Sequence, residues 1–303
     1  MRYRPFGRSG LALSTVGLNL SREKLNKNHS LLQKLITTAL ENGINTYHFD
    51  STDPKMLQAA AEVFAVVERK LLFVSVGAQE SSLNADPAAY ALPALKERLR
   101  AAIKDSGLAW LDLLVFSEDG AGMLPEDSLN FIKSLQRSKM LRYVAVEAEA
   151  TAMPAIIKSG HFDVIKTTFD IDSSWDKRRQ IDSAISREMN VMASGFFPDA
   201  YRKASDVVPA EARRGWFGMK AQNPLAGAGT HAFLHQTADW TPEELCLGYA
   251  LSQPSLACIF VEPTSTDHLE ALASVPERHL PPSVPAQIEM ARFSERAPKS
   301  VGG

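Results

Sequence analysis

Three polar side chains of the kinds used in proton transfer occur together in one short stretch of the sequence. His48 lies in the segment Ile44–Phe49, and Asp50 and Asp53 follow that segment. A histidine beside carboxylates can act as a general base near neutral pH, because its ordinary pKa is about 6.5. The same histidine could instead have a structural role, hydrogen-bonded to a neighbouring acid. The residue types alone leave both interpretations open.

The elements around this run indicate how the three side chains would be positioned. Residues 31–42 have the apolar periodicity of a helix, and Gly43 is a typical helix C-cap. The run Ile44–Phe49 then predicts a short buried strand. A polar strand end of this kind is where an α/β barrel places reactive side chains.

The whole chain repeats this alternation of strand and helix. Its strands are continuously apolar, which indicates a parallel sheet covered by helices and predicts a closed (β/α)8 TIM barrel. The predicted strands are Thr15–Leu18, Thr46–Phe49, Leu71–Ser75, Leu111–Phe116, Tyr143–Val146, Val164–Thr167, Val191–Ala193 and Ala257–Val261. The predicted helices lie at about 31–42, 53–68, 91–105, 126–138, 151–160, 178–189, 241–252 and 266–275.

The barrel is expected to form one domain over residues 1–280. Turn residues at 7–10 predict an N-terminal β-hairpin within residues 1–14, and residues 195–240 are expected to form a long loop over the barrel mouth. Residues 281–303 are expected to form a C-terminal appendage with a short helix near 287–294. The seventh strand has two candidates, Val191–Ala193 and Gly215–Lys220. Its distance from Val164 favours the first.

Composition excludes several classes of partner. The 303 residues carry a formal charge of −2 with no long basic run, which argues against nucleic acid as a partner. No apolar stretch is long enough for a membrane span, and a cytoplasmic location is expected. Cys246 and Cys258 lie in apolar surroundings, which predicts buried thiols. The histidines and carboxylates lack the ligand spacing of a metal site.

Six short motifs occur in an order and spacing that resemble the aldo-keto reductase superfamily, over roughly residues 1–275. This family comprises NAD(P)H-dependent (β/α)8 oxidoreductases, so the resemblance implies that fold and a nicotinamide cofactor. The motifs are Arg4-Pro-Phe-Gly-Arg-Ser-Gly-Leu with Val16-Gly-Leu, Ala39-Leu-Glu-Asn-Gly-Ile-Asn, Leu111-Asp-Leu-Leu, Met140-Leu-Arg-Tyr-Val, Phe162-Asp-Val-Ile and Tyr249-Ala-Leu-Ser-Gln-Pro.

The catalytic tetrad that the resemblance implies is degenerate in this chain. The family uses an aspartate, a tyrosine, a lysine and a histidine, which fall here on His48, Asp53, Val76 and Ser117. The family's tyrosine donates the proton to the carbonyl, whereas an ionised carboxylate only accepts one. The sequence therefore predicts a pseudoenzyme with no catalytic residues of the reductase type.

The cofactor positions that the resemblance implies are also altered. Glu147-Ala148 replaces a serine-asparagine pair, and Lys166 replaces a glutamine. Thr264 replaces an arginine that holds the adenosine 2′-phosphate, so NAD(H) is expected in preference to NADP(H). The resemblance places cofactor contacts at Asn19, His48, Lys166, Ser194, Phe196, Lys220, Thr264, Ser265 and His268.

The favoured interpretation is an oxidoreductase-like, NAD(H)-binding regulator that acts through protein partners. The pattern is similar to that of KidO-type bacterial cell-division regulators, reductase-like proteins that act on the division machinery and a signalling kinase. Two alternatives stay open. One is an isomerase or lyase in which Asp50 or Asp53 orients His48 as the base, and the other is a weak NAD(P)H-dependent aldo-keto reductase.

Overall fold

Eight parallel strands close into one barrel in the computed structural model, which describes residues 1–25, 28–78, 86–201 and 231–296. The predicted (β/α)8 barrel is therefore confirmed. The strands, numbered along the chain, are β1 Tyr3–Pro5, β2 Ala12–Ser14, β3 Val16–Leu20, β4 Thr46–Phe49, β5 Phe73–Gly77, β6 Leu111–Ser117, β7 Leu141–Glu147, β8 Val164–Thr168, β9 Asn190–Ser194 and β10 Cys258–Val261. Strands β3 to β10 form the barrel in chain order, and β10 pairs with β3.

Helices follow the strands and cover the outside of the barrel, as the alternation in the sequence predicts. The α-helices of the described residues are α1 Arg22–Leu25, α2 His29–Glu41, α3 Pro54–Phe64, α4 Pro87–Tyr90, α5 Leu92–Arg100, α6 Glu118–Gly122, α7 Glu126–Arg137, α8 Met153–Ser159, α9 Trp175–Ser186, α10 Pro242–Leu251, α11 Thr266–Ser274 and α12 Ser283–Arg296. None of the helices in these ranges is long and apolar enough to cross a membrane.

The seventh barrel strand is β9, which confirms the choice of Val191–Ala193. It pairs in parallel with β8 on one side and with β10 on the other, which closes the ring. The rival segment Gly215–Lys220 lies outside the described residues, as does most of the predicted long loop.

The predicted N-terminal hairpin is confirmed, since β1 and β2 pair antiparallel. It covers the N-terminal end of the barrel, where Phe6 and Leu13 are buried among inward-facing strand residues. Phe6 packs edge-on against Phe73 with ring centroids 5.1 Å apart. This apolar plug separates the hairpin from the opposite, C-terminal end of the strands.

Strand residues alternate between the barrel interior and the helix layer, because successive side chains of a strand point to opposite faces. The interior cluster includes Phe73, Val164 and Met192, while Tyr47, Phe49 and Val76 pack in the larger cluster under the helices. This alternation places His48 on the interior face of β4 and Lys166 on that of β8.

Several predicted boundaries shift by two or more residues, and two of these shifts have a visible local cause. Strand β5 begins at Phe73 rather than Leu71, because Arg69–Leu71 form a 3-10 turn before it. Helix α9 begins at Trp175 rather than near 178, because the Ser174 side chain accepts a hydrogen bond from Lys177 N and caps it.

The C-terminal appendage is a helix of 14 residues, longer than the segment 287–294 predicted. It docks on the barrel through Glu289, which accepts a hydrogen bond from Tyr249 Oη at 2.8 Å. Arg292 Nη1 pairs with Glu289 Oε1 at 2.9 Å and its Nη2 donates to the Ser173 carbonyl. The helix is therefore tied to both α10 and the segment before α9.

Candidate functional site

The C-terminal ends of the barrel strands, here called the mouth, carry the buried His48. Its Nδ1 lies 2.8 Å from Ser75 Oγ on the neighbouring strand, and its ring centroid is 5.4 Å from that of Phe260. Burial lowers the pKa of His48 well below its ordinary value, and the charge of Lys166 lowers it further. His48 is therefore uncharged at neutral pH. The hydrogen-bond partner of its Nδ1 is Ser75, whereas the sequence analysis considered Asp50 or Asp53 as the orienting group.

Lys166 supplies a buried positive charge to the same mouth. Its side chain is 7% exposed, and its Nζ lies 3.1 Å from Glu147 Oε1 on β7, whose side chain is 48% exposed. The charge of Lys166 affects the pKa of Asp50 and Glu262 as well as that of His48. Lys166 is thus the cation around which the acidic groups of the mouth are arranged.

Glu262 joins β3 and β10 at the rim of the mouth. One carboxylate oxygen accepts a hydrogen bond from Asn19 Nδ2, and the other lies 2.7 Å from Lys24 Nζ. Burial raises the pKa of Glu262, but the Lys24 hydrogen bond and charge outweigh it and hold that pKa below its ordinary range. Asn19 Oδ1 is buried and has no hydrogen-bond partner within the described ranges, so a bound ligand could still donate to it.

Asp50 directly follows β4, and its side chain is partly exposed. Its Oδ1 accepts a hydrogen bond of 2.8 Å from the backbone N–H of Arg22. Burial raises the pKa of Asp50 above its ordinary value, more than this hydrogen bond lowers it. The carboxyl therefore binds its proton more readily than a free aspartate.

Asp53 has a structural role at the start of α3. Its Oδ1 accepts hydrogen bonds from the backbone N–H groups of Lys55 and Met56, at 2.9 and 3.2 Å, and its Oδ2 pairs with Arg22 Nε at 3.0 Å. Partial burial raises the pKa of Asp53, but these bonds from Met56, Arg22 and Lys55 outweigh it and lower the pKa overall. Asp53 is therefore an ionised helix cap at neutral pH.

Val76 does not face the mouth, which corrects the position inferred for the family's lysine. Val76 packs under the helices with Phe49, its partner in the strand register. The interior positions of β5 are Phe73, Ser75 and Gly77. A Cβ added to Gly77 would lie 2.4 Å from the Asp50 carbonyl oxygen, so backbone fills the space that a longer side chain would need.

Ser117, at the position inferred for the family's histidine, caps the short helix α6. Its Oγ accepts a hydrogen bond of 3.1 Å from the backbone N–H of Gly120. The hydroxyl is thus used locally at the end of β6. It supplies neither the charge nor the ring nitrogens of a histidine.

The other expected cofactor residues divide between the rim and the core. Ser265 Oγ caps α11 by accepting from His268 N, and His268 Nε2 lies 3.1 Å from Glu243 Oε2. Thr264 N donates to His268 Nδ1 at 3.2 Å. Ser194 ends β9, whereas the Phe196 ring is 4% exposed and packs in the core under the helices. Lys220 lies outside the described residues.

A polar cluster that the sequence analysis missed lies between β8 and the end of β9. Tyr201 Oη is 2.6 Å from His231 Nδ1 and 3.2 Å from Asp172 Oδ1, and the Tyr201 and His231 rings meet edge-on at 4.7 Å. These two residues flank the undescribed segment 202–230, so no sequence spacing points to their contact. Strand alternation, by contrast, could have placed Lys166 and His48 in one interior.

Other features of the described residues lie away from the mouth or hold no ligand set. Two clefts of about 510 and 550 Å³ flank the hairpin at the opposite end of the barrel, lined by Arg8, Ser9 and Tyr143 among others. No three His, Cys, Asp or Glu side chains are placed to bind a metal within the described ranges. Cys246 and Cys258 are buried free thiols, as expected.

The architecture and the hairpin together define the fold of the aldo-keto reductases. One similar solved structure is the holo form of aldo-keto reductase AKR11C1 from Bacillus halodurans, with a TM-score of 0.70, 16% identity and coverage of 95% of each chain. No protein-family model matches the chain, and no curated protein matches it either. At this identity the similarity establishes the fold, and the chemistry depends on the residues of the mouth.

Proposed function

We propose that this protein is a reductase-like barrel that binds NAD(H), does not reduce carbonyl compounds and regulates protein partners. The observation that carries the proposal is the state of Asp53, where the resemblance puts the tyrosine proton donor. Asp53 caps α3, pairs with Arg22 and has a lowered pKa. A carboxylate in that state has no proton to give to a carbonyl oxygen at neutral pH.

The remaining walls of the mouth offer no substitute for the family's acid chemistry. The interior position near the end of β5 is Gly77, closed off by the Asp50 carbonyl, and Ser117 is used as a helix cap. His48 is neutral and hydrogen-bonded to Ser75. Within the described residues, no tyrosine, lysine and histidine stand together as the family's tetrad requires.

Two polar groups of the mouth suit the nicotinamide end of a dinucleotide. Asn19 Oδ1 is a buried acceptor with no partner among the described residues, and the amide N–H of a carboxamide group is a matching donor. Lys166 adds a donor on the opposite wall, since Glu147 is its one hydrogen-bond acceptor in the part of the chain that the structure describes. These two residues would bind and orient a nicotinamide ring.

The loop after β10 supports NAD(H) over NADP(H). Thr264 provides no cation for a 2′-phosphate, and Glu262 contributes a carboxylate to the same loop. The N-terminus of α11, capped by Ser265, presents backbone N–H groups that favour the pyrophosphate of either dinucleotide. The expected preference for NAD(H) over NADP(H) therefore rests on position 264, which is a threonine and not an arginine.

Calorimetric titration with NADH and NADPH tests the cofactor proposal. We expect NADH to bind more tightly than NADPH, and Asn19→Ala to weaken NADH binding about fivefold through the loss of one hydrogen bond. Asn42→Ala, at the C-terminus of α2 on the far side of the barrel, is the matched control and should leave affinity unchanged. The absence of binding by both dinucleotides at millimolar concentration would refute the proposal.

The regulatory role predicts that partner binding depends on the cofactor. A dinucleotide that orders the mouth would change its affinity for a protein partner, and the coupling would act in both directions. On the resemblance to KidO-type regulators, the division machinery and a signalling kinase are the partners to test. We expect affinity capture with and without NADH to recover different partners, and an identical set in both conditions would contradict the coupling.

A further inference from the structure

Lys166 differs from an ordinary structural lysine in how few partners it has. Lys166 is 6% exposed, yet its Nζ has one acceptor among the described residues, Glu147 Oε1 at 3.1 Å. An ammonium group has three N–H donors, so the described part of the chain leaves two of them without an acceptor. Keeping a charged group buried with incomplete pairing is costly, which indicates that the position serves a ligand.

Lys177, at the same end of the barrel, shows what a fully paired lysine looks like in this protein. Its Nζ lies 2.5 Å from Glu149 Oε2, 2.6 Å from Thr168 Oγ1 and 3.1 Å from the Thr168 carbonyl oxygen. All three N–H groups therefore have acceptors. Lys166 lies in strand β8, and Lys177 reaches the end of that strand from helix α9. Both lysines are therefore in the same region, and they differ in how completely they are paired.

We propose that Lys166 forms a reversible imine with small uncharged aldehydes or ketones that enter the mouth. A lysine amine is a nucleophile toward carbonyl carbon once a neighbouring base has taken its proton. Glu147 is that base by position, and its half-exposed carboxylate can exchange the proton with solvent. The site lies on rigid strands, which hold the amine and the carboxylate in one geometry.

The atoms and charges of the step balance without a further reactant. Glu147 accepts a proton from the ammonium group, and the Nζ lone pair forms a bond to the carbonyl carbon. The carbonyl oxygen becomes the hydroxyl of a carbinolamine after a proton moves from nitrogen to oxygen. Glu147 then returns its proton to that hydroxyl, the C–O bond breaks and water leaves. One ammonium and one carbonyl compound thus give one protonated imine and one water.

The surroundings of Lys166 can accommodate a protonated imine, which carries the same positive charge as the ammonium group, and they favour an uncharged substrate. The carboxylates Asp50, Glu147 and Glu262 lie within electrostatic reach of Nζ, and the imine keeps the positive charge that they stabilise. His48 is neutral and adds no opposing charge. The same carboxylates repel keto acids, so short aldehydes and ketones are the expected class.

The inference is independent of the proposed function, because imine formation requires no dinucleotide. Failure to bind NADH would leave the trapping result unaffected. Failure to trap a carbonyl compound would likewise leave dinucleotide binding intact.

The test is reductive trapping of the intact wild-type protein. The protein is incubated with propanal and sodium cyanoborohydride, which reduces an imine to a stable amine, and the modified lysines are mapped by peptide mass spectrometry. We expect Lys166 to be labelled about tenfold faster than Lys177 and faster than the exposed Lys158. The reason is that Glu147 can accept the proton of the Lys166 amine, which is also incompletely hydrogen-bonded. Labelling of Lys166 no faster than of Lys158 would overturn the proposal.

A matched pair of variants isolates the role of Glu147. Glu147→Gln should slow the labelling of Lys166 about a hundredfold, the size typical of a lost general base. Glu149→Gln removes the partner of Lys177 instead and should leave Lys166 labelling unchanged. Equal rates in both variants would overturn the role of Glu147, and equal trapping of pyruvate and propanal would overturn the substrate class.

Discussion

The two ends of this barrel differ in how completely their buried charged groups are paired. At the N-terminal end, Asp112 is fully buried, and both of its carboxylate oxygens have donors. These donors are Arg69 Nη1 at 2.9 Å, Arg142 Nη1 at 3.0 Å, Trp110 Nε1 at 3.1 Å and Val74 N at 2.9 Å. At the mouth, Lys166 has one acceptor among the described residues. The buried charge at the N-terminal end is thus fully paired, whereas the buried charge at the mouth is incompletely paired.

The largest loss of stability is expected on removal of the fully paired Asp112 carboxylate. Asp112→Ala would leave the Arg69 and Arg142 guanidinium groups without their buried partner, and we expect it to lower the free energy of unfolding by about 3–5 kcal/mol. Asp105→Ala breaks an exposed pair with Arg100 and should cost less than about 1 kcal/mol. Urea unfolding of both variants measures the difference. Equal stabilities would contradict the assignment of the N-terminal end as the stabilising one.

A smaller loss of stability is expected at Gly77, where the backbone of Asp50 leaves no space for a side chain. Gly77→Ala would put a Cβ 2.4 Å from the Asp50 carbonyl oxygen, and we expect a cost of about 1–3 kcal/mol from overpacking. Gly122→Ala in α6 is the control, because nothing lies within 4 Å of its added Cβ. Thermal unfolding distinguishes the two. An unchanged melting temperature for Gly77→Ala would show that the wall has room for a side chain.

Asp53 should behave as a helix cap. We expect Asp53→Ala to cost about 1 kcal/mol, and Asp53→Asn, which keeps a capping oxygen, to cost less. Because the pKa of Asp53 lies below its ordinary value of 3.8, its stabilisation is present at neutral pH and is lost as the pH falls below 3.8. Urea unfolding at pH 7 measures the cost. Two equally destabilised variants would argue against the capping role.

The smallest effect is a pH dependence at His48. Its pKa is lowered in the folded protein, so the unfolded chain binds the proton more tightly and stability falls as the pH drops below 6.5. From pH 7 to pH 5.5 this residue should remove about 1 kcal/mol of stability. His48→Gln should lose that part of the slope, while the exposed His161→Gln should keep it. Parallel slopes for wild type and His48→Gln would contradict a buried neutral histidine.

The barrel could be predicted from the sequence because its signal is repeated along the whole chain. Each predicted strand is a short apolar run followed by a segment with the apolar periodicity of a helix. An error in the boundary of one strand, such as the predicted start at Leu71, therefore does not change the architecture. The choice of Val191–Ala193 over Gly215–Lys220 also followed from spacing alone. Periodicity averages over many residues, which makes it robust.

The site could be predicted only in part, because it depends on the direction of single side chains. The interior positions of His48 and Lys166 follow from strand alternation, but the partners Ser75 and Glu147 come from neighbouring strands whose register the sequence does not reveal. Val76 was misplaced for the same reason, since a shift of one residue turns a side chain to the other face.

The proposal that the mouth binds NAD(H) but carries out no hydride chemistry is tested most directly by one fluorescence and absorbance measurement. The protein, in excess over NADH, is mixed with a panel of aldehydes and ketones, and both the fluorescence and the absorbance of NADH are followed. We predict enhanced fluorescence from bound NADH and no loss of its absorbance. Oxidation of NADH that depends on the carbonyl compound would contradict the loss of reductase chemistry, and unchanged NADH fluorescence would contradict binding.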